Sequence, residues 1–377
     1  MAAKPGNMPN PFSESEIRSR LARLREVLKE KKLDGLLVSS VPNVRYLSGF
    51  TGDSSAALVA RDGPFLLTDF RFEEEATLTA PLFRCLVRKL GMNELVAKTV
   101  RRLGLKRLGF EEHVLTAGEL RDLAGRLLRR RLAATTMIVE RLRAVKSPAE
   151  VEAIRRAVRA AEQGLRLARR SIRPGATEQS AAAGLRHALV TRCGAQDQAF
   201  ETIVAEGPRG SLPHARPTGR GLGRDSVVLI DWGARFGFYH SDLTRVLALG
   251  GTSGLYRKLI RLVRQAQLAA VERIRPGARV AEVDRAGRRV IERAGYGPRF
   301  GHSLGHGLGL EVHEHPRIWA RAAERLEPGM VFTVEPGIYL PGRFGIRLED
   351  DVLVTDSGCE VLSSLPHGQR LDREPEA

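Results

Sequence analysis

The stretches VVLIDWG (227–233) and VFTVEPG (331–337) align without a gap, and each is an apolar run ending on a carboxylate, Asp231 in one and Glu335 in the other. A second correspondence precedes them. Ile172-Arg173-Pro174-Gly175-Ala176 recurs as Ile274-Arg275-Pro276-Gly277-Ala278, and each copy leads into a predicted helix that ends near a glycine, Gly194 or Gly295. Two linked coincidences in the same order point to an internal duplication. Such a duplication sets one group of polar residues in each half and the site between them.

Working outward, Ser147-Pro148-Ala149-Glu150 supplies an N-cap serine, a proline at the first helical position and a glutamate at the third. A long helix therefore starts there, with Val151, Ile154, Val158, Ala161, Leu165 and Ala168 on one stripe, and stops before Pro174-Gly175. Upstream, Ser13 and Glu16 form a capping-box pattern ahead of a helix to about Lys31. LDGLLVSS (33–40), AALVA (56–60), PFLLTDF (64–70) and KRLGFEE (106–112) read as strands, with a turn at Asp62-Gly63 and a helix from about Thr116. This predicts an α/β first domain over residues 1–140 and a second domain over 141–377.

The composition agrees with two globular domains: 377 residues, 42% hydrophobic and 28% charged. No apolar run reaches the roughly 18 to 20 residues of a membrane span, and MAAKPGNMPNPFSESE has no export signal, so a soluble cytoplasmic protein is expected. Cys85, Cys193 and Cys359 are scattered and odd in number, which suits a reducing compartment and offers no thiolate metal site. The net charge of +17 would attract nucleic acid. Its arginines, however, spread along helical segments such as RLLRRRL (126–132) and Arg155 to Arg170 without interleaved aromatics, so solvated helix faces are expected instead.

In VVLIDWGARFGFYHSDLTRVLAL (227–249), a hairpin folded about Phe236 and Gly237 would set Asp231 and Asp242 opposite one another. Two facing carboxylates imply either a shared proton or a cation between them. GHSLGHGLGLEVHEHP (301–316) favours the cation, because its glycines exclude a helix and its histidines lie in one compact segment. Glu335 in FTVEPGIYL and Glu349 in GIRLEDDVLV add carboxylates in apolar strands, where burial without a partner is expensive. Four carboxylates and one imidazole carry a charge of about four minus, which two divalent ions balance. Oxygen-rich ligation suits manganese, cobalt or zinc.

These residues resemble the pita-bread metallopeptidase family, which includes methionine aminopeptidase, aminopeptidase P and prolidase. Its five ligands map in order onto Asp231, Asp242, His306, Glu335 and Glu349. NVRYLSGFTG (43–52) and RLRAVKSPAEVEAIR (141–155) are similar to the creatinase-like amino-terminal domain and junction of the proline-specific branch. The resemblance implies an α+β catalytic domain whose curved antiparallel sheet bears the site, with helices behind, and a homodimer. It implies that Asp231 binds one ion, Asp242 and Glu349 bridge two, and His306 and Glu335 bind the second, with Glu335 also the general base. It implies manganese as the ion and peptides with proline in second position as substrates. His313 would hydrogen-bond the scissile carbonyl, His302 and His214 would line the substrate, and Arg347 would pair with an acidic ligand. His113, His187 and His315 are expected to be structural or superficial. YLSGFTG and GHGLGLEVHE place an Xaa-Pro aminopeptidase ahead of an Xaa-Pro dipeptidase. A non-catalytic binding module is the reading from another class, and the complete ligand set argues against it.

Overall fold

The computed structural model describes residues 10–127 and 131–367, so both ends of the chain, including RLDREPEA, and the centre of RLLRRRL lie outside the described residues. The chain divides into two compact units, Met1–Arg143 and Ala144–Ala377.

In the first unit, six strands form one mixed sheet: β1 (Gly35–Val38), β2 (Ala56–Ala60), β3 (Gly63–Thr68), β4 (Arg84–Val87), β5 (Arg107–Glu111) and β6 (Arg131–Thr135), in the order β4-β3-β2-β1-β5-β6. Helices α1 (Glu14–Glu30), α2 (Val41–Ser48), α3 (Glu73–Thr79), α4 (Met92–Arg102), α5 (Ala117–Leu127) and α6 (Ile138–Ala144) alternate with them. β2 and β3 meet in a tight hairpin whose two turn residues are Arg61 and Asp62, one position before the Asp62-Gly63 turn expected from the sequence, and Gly63 closes it opposite Ala60 at a φ of 126°. Ser13 caps α1 by accepting the Glu16 N–H. The sheet and the helices α4 and α5 close over Leu58, Phe65, Leu67, Val96, Val100, Phe110 and Leu123.

The second unit opens with α7 (Pro148–Ala168), whose Ser147 and Glu150 complete the capping box in both directions. Along α7, Arg159 and Arg166 are exposed and pair with Glu152 and Glu162, whereas Arg155 and Arg156 are half-buried, Arg155 pairing with Glu360 and Arg156 lying over the Phe236 ring. There follow α8 (Glu178–Arg192), α9 (Gly254–Val271) and α10 (Val280–Arg293). The strands are β7 (Asp197–Gln198), β8 (Ile203–Glu206), β9 (Val227–Trp232), β10 (Ala234–Phe236), β11 (Tyr239–His240), β12 (Leu243–Ala248), β13 (Gly305–Gly307), β14 (Glu314–Ile318), β15 (Val331–Val334), β16 (Gly337–Leu340), β17 (Phe344–Arg347), β18 (Asp350–Val354) and β19 (Cys359–Val361). Their pairings are all antiparallel.

The duplication is visible in the hydrogen bonds. Gly175 and Ala176 pair with Leu222, and Gly277 and Ala278 pair with Leu326 through the same two backbone bonds. The strand trio β8-β9-β12 is repeated as β13-β15-β18. Alternation then sorts the faces. Val228, Ile230 and Trp232 pack with Ala161, Leu185 and Leu189 of α7 and α8, leaving Asp231 on the other face. Phe332 and Val334 pack with Leu259, Val263, Val283 and Ile291 of α9 and α10, leaving Thr333 and Glu335 on the other face.

One expectation is corrected. Gly237 and Phe238, at φ of 56° and 69°, form the two-residue turn of the β10–β11 hairpin. The ladder therefore pairs Asp231 with Thr244, not with Asp242. A slip of two residues preserves the face, so both aspartates still point the same way, diagonally rather than directly opposed.

Candidate metal centre

Asp231 ends β9, Asp242 sits between β11 and β12, His306 is the middle of β13, and Glu335 and Glu349 follow β15 and β17. Together with His214, His302, His313 and Arg347 they line one cavity of about 850 Å³. His113 and His187 are exposed, and neither they nor His315 line it.

The ring of His306 is oriented by its Nδ1, which lies 3.1 Å from the Gly307 carbonyl. Its Nε2 faces Asp242 Oδ2 at 3.6 Å and Glu335 Oε1 at 3.5 Å. Glu335 accepts the Thr333 hydroxyl at 3.3 Å, and Glu349 accepts that of Thr244 at 2.5 Å. The buried guanidinium of Arg347 donates to Asp231 Oδ2 through Nη2, to Thr244 Oγ1 at 3.0 Å and to the Tyr339 phenol at 2.8 Å. That phenol lies 3.0 Å from His302 Nε2. His313 stands at the rim with its ring centre 4.3 Å from that of His306, and His214 is exposed at the mouth.

Burial dominates the electrostatics. It pushes Asp242 and Glu349 far above the ordinary carboxylate range, helped by their acidic neighbours, and raises Glu335 to about 8. It lowers His302 and His306 to about 4, so both imidazoles are neutral near pH 7. Such a concentration of acid around neutral imidazole fits a cation. Asp231 Oδ1 and Asp242 Oδ1 are buried and lack a hydrogen-bond partner among the described residues. Asp242, His306 and Glu349 each offer one ligand atom, all within 4.8 Å of one another. The donors are oxygen and imidazole nitrogen, and no cysteine lines the cavity. That set suits a divalent ion of intermediate hardness.

Sequence reasoning passed over Thr244, Thr333, Tyr339 and Asp351. Each stands two or four residues from a predicted site residue (Thr244 after Asp242, Thr333 before and Tyr339 after Glu335, Asp351 after Glu349), so strand alternation was the signal that could have found them. Asp351 Oδ2 accepts the Asp242 N–H at 3.1 Å.

Comparison with known proteins bears on this geometry. The model of metallopeptidase family M24 matches residues 152–356, and that of the creatinase/prolidase N-terminal domain matches residues 20–145. The Xaa-Pro dipeptidase of Pyrococcus horikoshii is 33% identical, over 91% of this chain and 96% of that protein. The solved structure of an Xaa-Pro dipeptidase from Bacillus anthracis is 35% identical with a TM-score of 0.90, covering 93% of this chain and 98% of that one. That of an X-Pro aminopeptidase from Thermotoga maritima is also 35% identical, with a TM-score of 0.86 and coverage of 93% and 99%. No helix among the described residues is long and apolar enough to cross a membrane.

Proposed function

The chain belongs to metallopeptidase family M24, and from that membership we propose that it is an Xaa-Pro dipeptidase with two divalent metal ions held by Asp231, Asp242, His306, Glu335 and Glu349. The observation that carries the metal reading is the buried four-carboxylate cluster around neutral His306, with two carboxylate oxygens unpartnered among the described residues. Divalent ions bound there supply Lewis-acid polarisation of the scissile carbonyl and an attacking water of lowered pKa. Manganese is the expected ion, with cobalt and zinc as alternatives, and a homodimer is expected from the family resemblance.

The chain's own groups divide the remaining work. Glu335 takes a proton from the attacking water and returns it to the leaving proline nitrogen. His313, at the rim, donates to the carbonyl oxygen, while His302 and His214 border the bound peptide. Arg347 orients Asp231 by donating to its Oδ2, and removing either partner would leave the other buried without its counterpart.

The sequence motifs placed an aminopeptidase first, and the relatives support the dipeptidase instead, since the Pyrococcus horikoshii and Bacillus anthracis proteins both carry that name. Arg216 and Arg317 line the same cavity, where a guanidinium can receive the free carboxylate that a dipeptide presents next to its scissile bond. The aminopeptidase stays as a second reading because of the Thermotoga maritima structure. Initial rates on Ala-Pro and Ala-Pro-Ala, with protein stripped of metal and then titrated with manganese, decide between them. Metal-dependent cleavage confined to Ala-Pro is expected. Efficient cleavage of the tripeptide would establish the aminopeptidase, and inactivity on both with every divalent metal would remove the peptidase reading.

A further inference from the structure

The two segments that carry Glu335 and Glu349 are tied together from behind the cavity. Gln267, fully buried on α9, directs its Nε2 at the carbonyls of Val334 (3.1 Å) and Leu348 (3.3 Å) and at Asp350 Oδ2 (2.9 Å). These residues immediately precede Glu335, precede Glu349 and follow Glu349. The amide is itself oriented by Arg264, which donates to its Oε1. Arg245, also buried, donates to the Glu349 carbonyl at 2.6 Å, to Asp350 Oδ1 at 2.7 Å and to the Leu365 carbonyl at 2.9 Å. Ser363 donates to Asp350 as well.

Apart from the Tyr256 phenol, Gln267 is the buried polar group on its helix face. Its buried α9 neighbours Leu259, Val263, Ala266 and Ala270 are apolar, and an apolar side chain there would avoid the cost of desolvating an amide. Neither Gln267 nor Arg245 lines the cavity, so neither is in reach of a peptide bound in it. Yet Gln267 holds three points that flank the two glutamates and Arg245 adds the Glu349 carbonyl and the other Asp350 oxygen, just where β15 and β18 finish pairing at Val334 and Asp350. Resting on the metal reading above, we propose that Gln267 and Arg245 are positioning residues. They set the separation of Glu335 and Glu349 and thereby the affinity for the cations these carboxylates hold.

Gln267→Met keeps the length and apolar packing of the side chain and removes its amide. Binding of manganese, and separately of cobalt, is measured by titration calorimetry on metal-stripped full-length protein, alongside the melting temperature without metal. Affinity should fall about 10–100-fold in Gln267→Met, the range seen when groups that orient metal ligands are lost, and several-fold in Ser363→Ala. Gln265→Met, on the exposed side of the same helix, should match wild type. A folded Gln267→Met with wild-type affinity and only a lowered metal-free melting temperature would reduce the amide to a structural role and overturn the inference. If that variant does not fold, Arg245→Lys, which keeps the charge but not the guanidinium's several donors, decides, and wild-type affinity there overturns it equally. Wild-type protein that binds neither ion would overturn the metal reading and this inference with it, whereas binding unaffected by either variant overturns this inference alone.

Discussion

At the scale of single residues, the phenol of Tyr339 joins two parts of the site that the chain brings from far apart. It accepts from Arg347, which holds Asp231, and it touches His302 Nε2. Burial raises its own pKa to about 12, so it stays a neutral hydrogen-bonding group at any working pH. Tyr339→Phe removes one oxygen, frees His302 to turn, and leaves Arg347 with fewer acceptors in a buried place. We expect kcat to fall about 10–100-fold with KM changed little, as for other losses around metal ligands. Steady-state kinetics on Ala-Pro at saturating manganese reads this, and an unchanged kcat would show that Arg347 and His302 hold their places without the phenol. The four carboxylates and the histidine cluster stood out in the sequence because they depart from their surroundings, a charge in an apolar strand or histidines among glycines, while the choice of His306 within that cluster came from the family resemblance. Tyr339, Thr244 and Thr333 were not, since tyrosine and threonine are ordinary in strands and only their partners give them a role.

At the scale of elements, the approach of β13 to β15 fixes where His306 stands. A Cβ on Gly305 would lie 1.9 Å from the Thr333 carbonyl oxygen, so only glycine lets the two backbones come this close. Thr333 also accepts the backbone N–H of His306 through its hydroxyl, which ties the backbone that carries the imidazole to the strand before Glu335. Gly305→Ala should therefore cost about 1–3 kcal/mol of stability, the usual range for overpacking, and weaken manganese binding besides. Urea unfolding of the metal-free protein and calorimetry of the refolded variant measure the two effects, and wild-type values for both would mean the strands can part without consequence. The glycine-rich stretch already excluded a helix in the sequence, but not which glycine meets a backbone. The hairpin after β9 shows a similar limit. The turn lies one residue further along than the sequence placed it, because Phe238 adopts a left-handed conformation that glycine more commonly takes. Glu349 likewise stands between β17 and β18 rather than within the strand that the pattern suggested.

At the scale of the whole molecule, the second unit buries carboxyl groups that hold protons unless cations take their place. In the metal-free protein Glu335 titrates near 8, and Asp242 and Glu349 lie well above their ordinary range, so the folded state binds protons that the unfolded chain has released. Stability must then fall as pH rises across that interval. His302 and His306, lowered to about 4, act oppositely only below their ordinary value near 6.5. The window from pH 6.5 to 8 is thus governed by the carboxylates, and the melting temperature of the metal-stripped protein should decline across it. With manganese the carboxylates stay ionised in the fold and the decline should vanish or reverse. Differential scanning calorimetry at pH 6.5, 7.2 and 8, with and without manganese, checks this, and a metal-free protein that gains stability toward pH 8 would contradict it.

What the sequence determined by itself follows from patterns that need no distant partner. Strand alternation, capping residues, and the repeats of Ile-Arg-Pro-Gly-Ala and of a carboxylate after an apolar run pointed to most of the elements, to the duplication and to the residue types that line the cavity. The tertiary structure alone decided which strand positions face one another, that Arg347 serves Asp231, and that Gln267 and Arg245 brace the two glutamates from behind. The reason is physical: propensity and periodicity act over a few residues, whereas the Gln267–Val334 and Arg347–Asp231 contacts join positions 67 and 116 residues apart, and which of them form is settled only when burial makes every unpaired polar group costly.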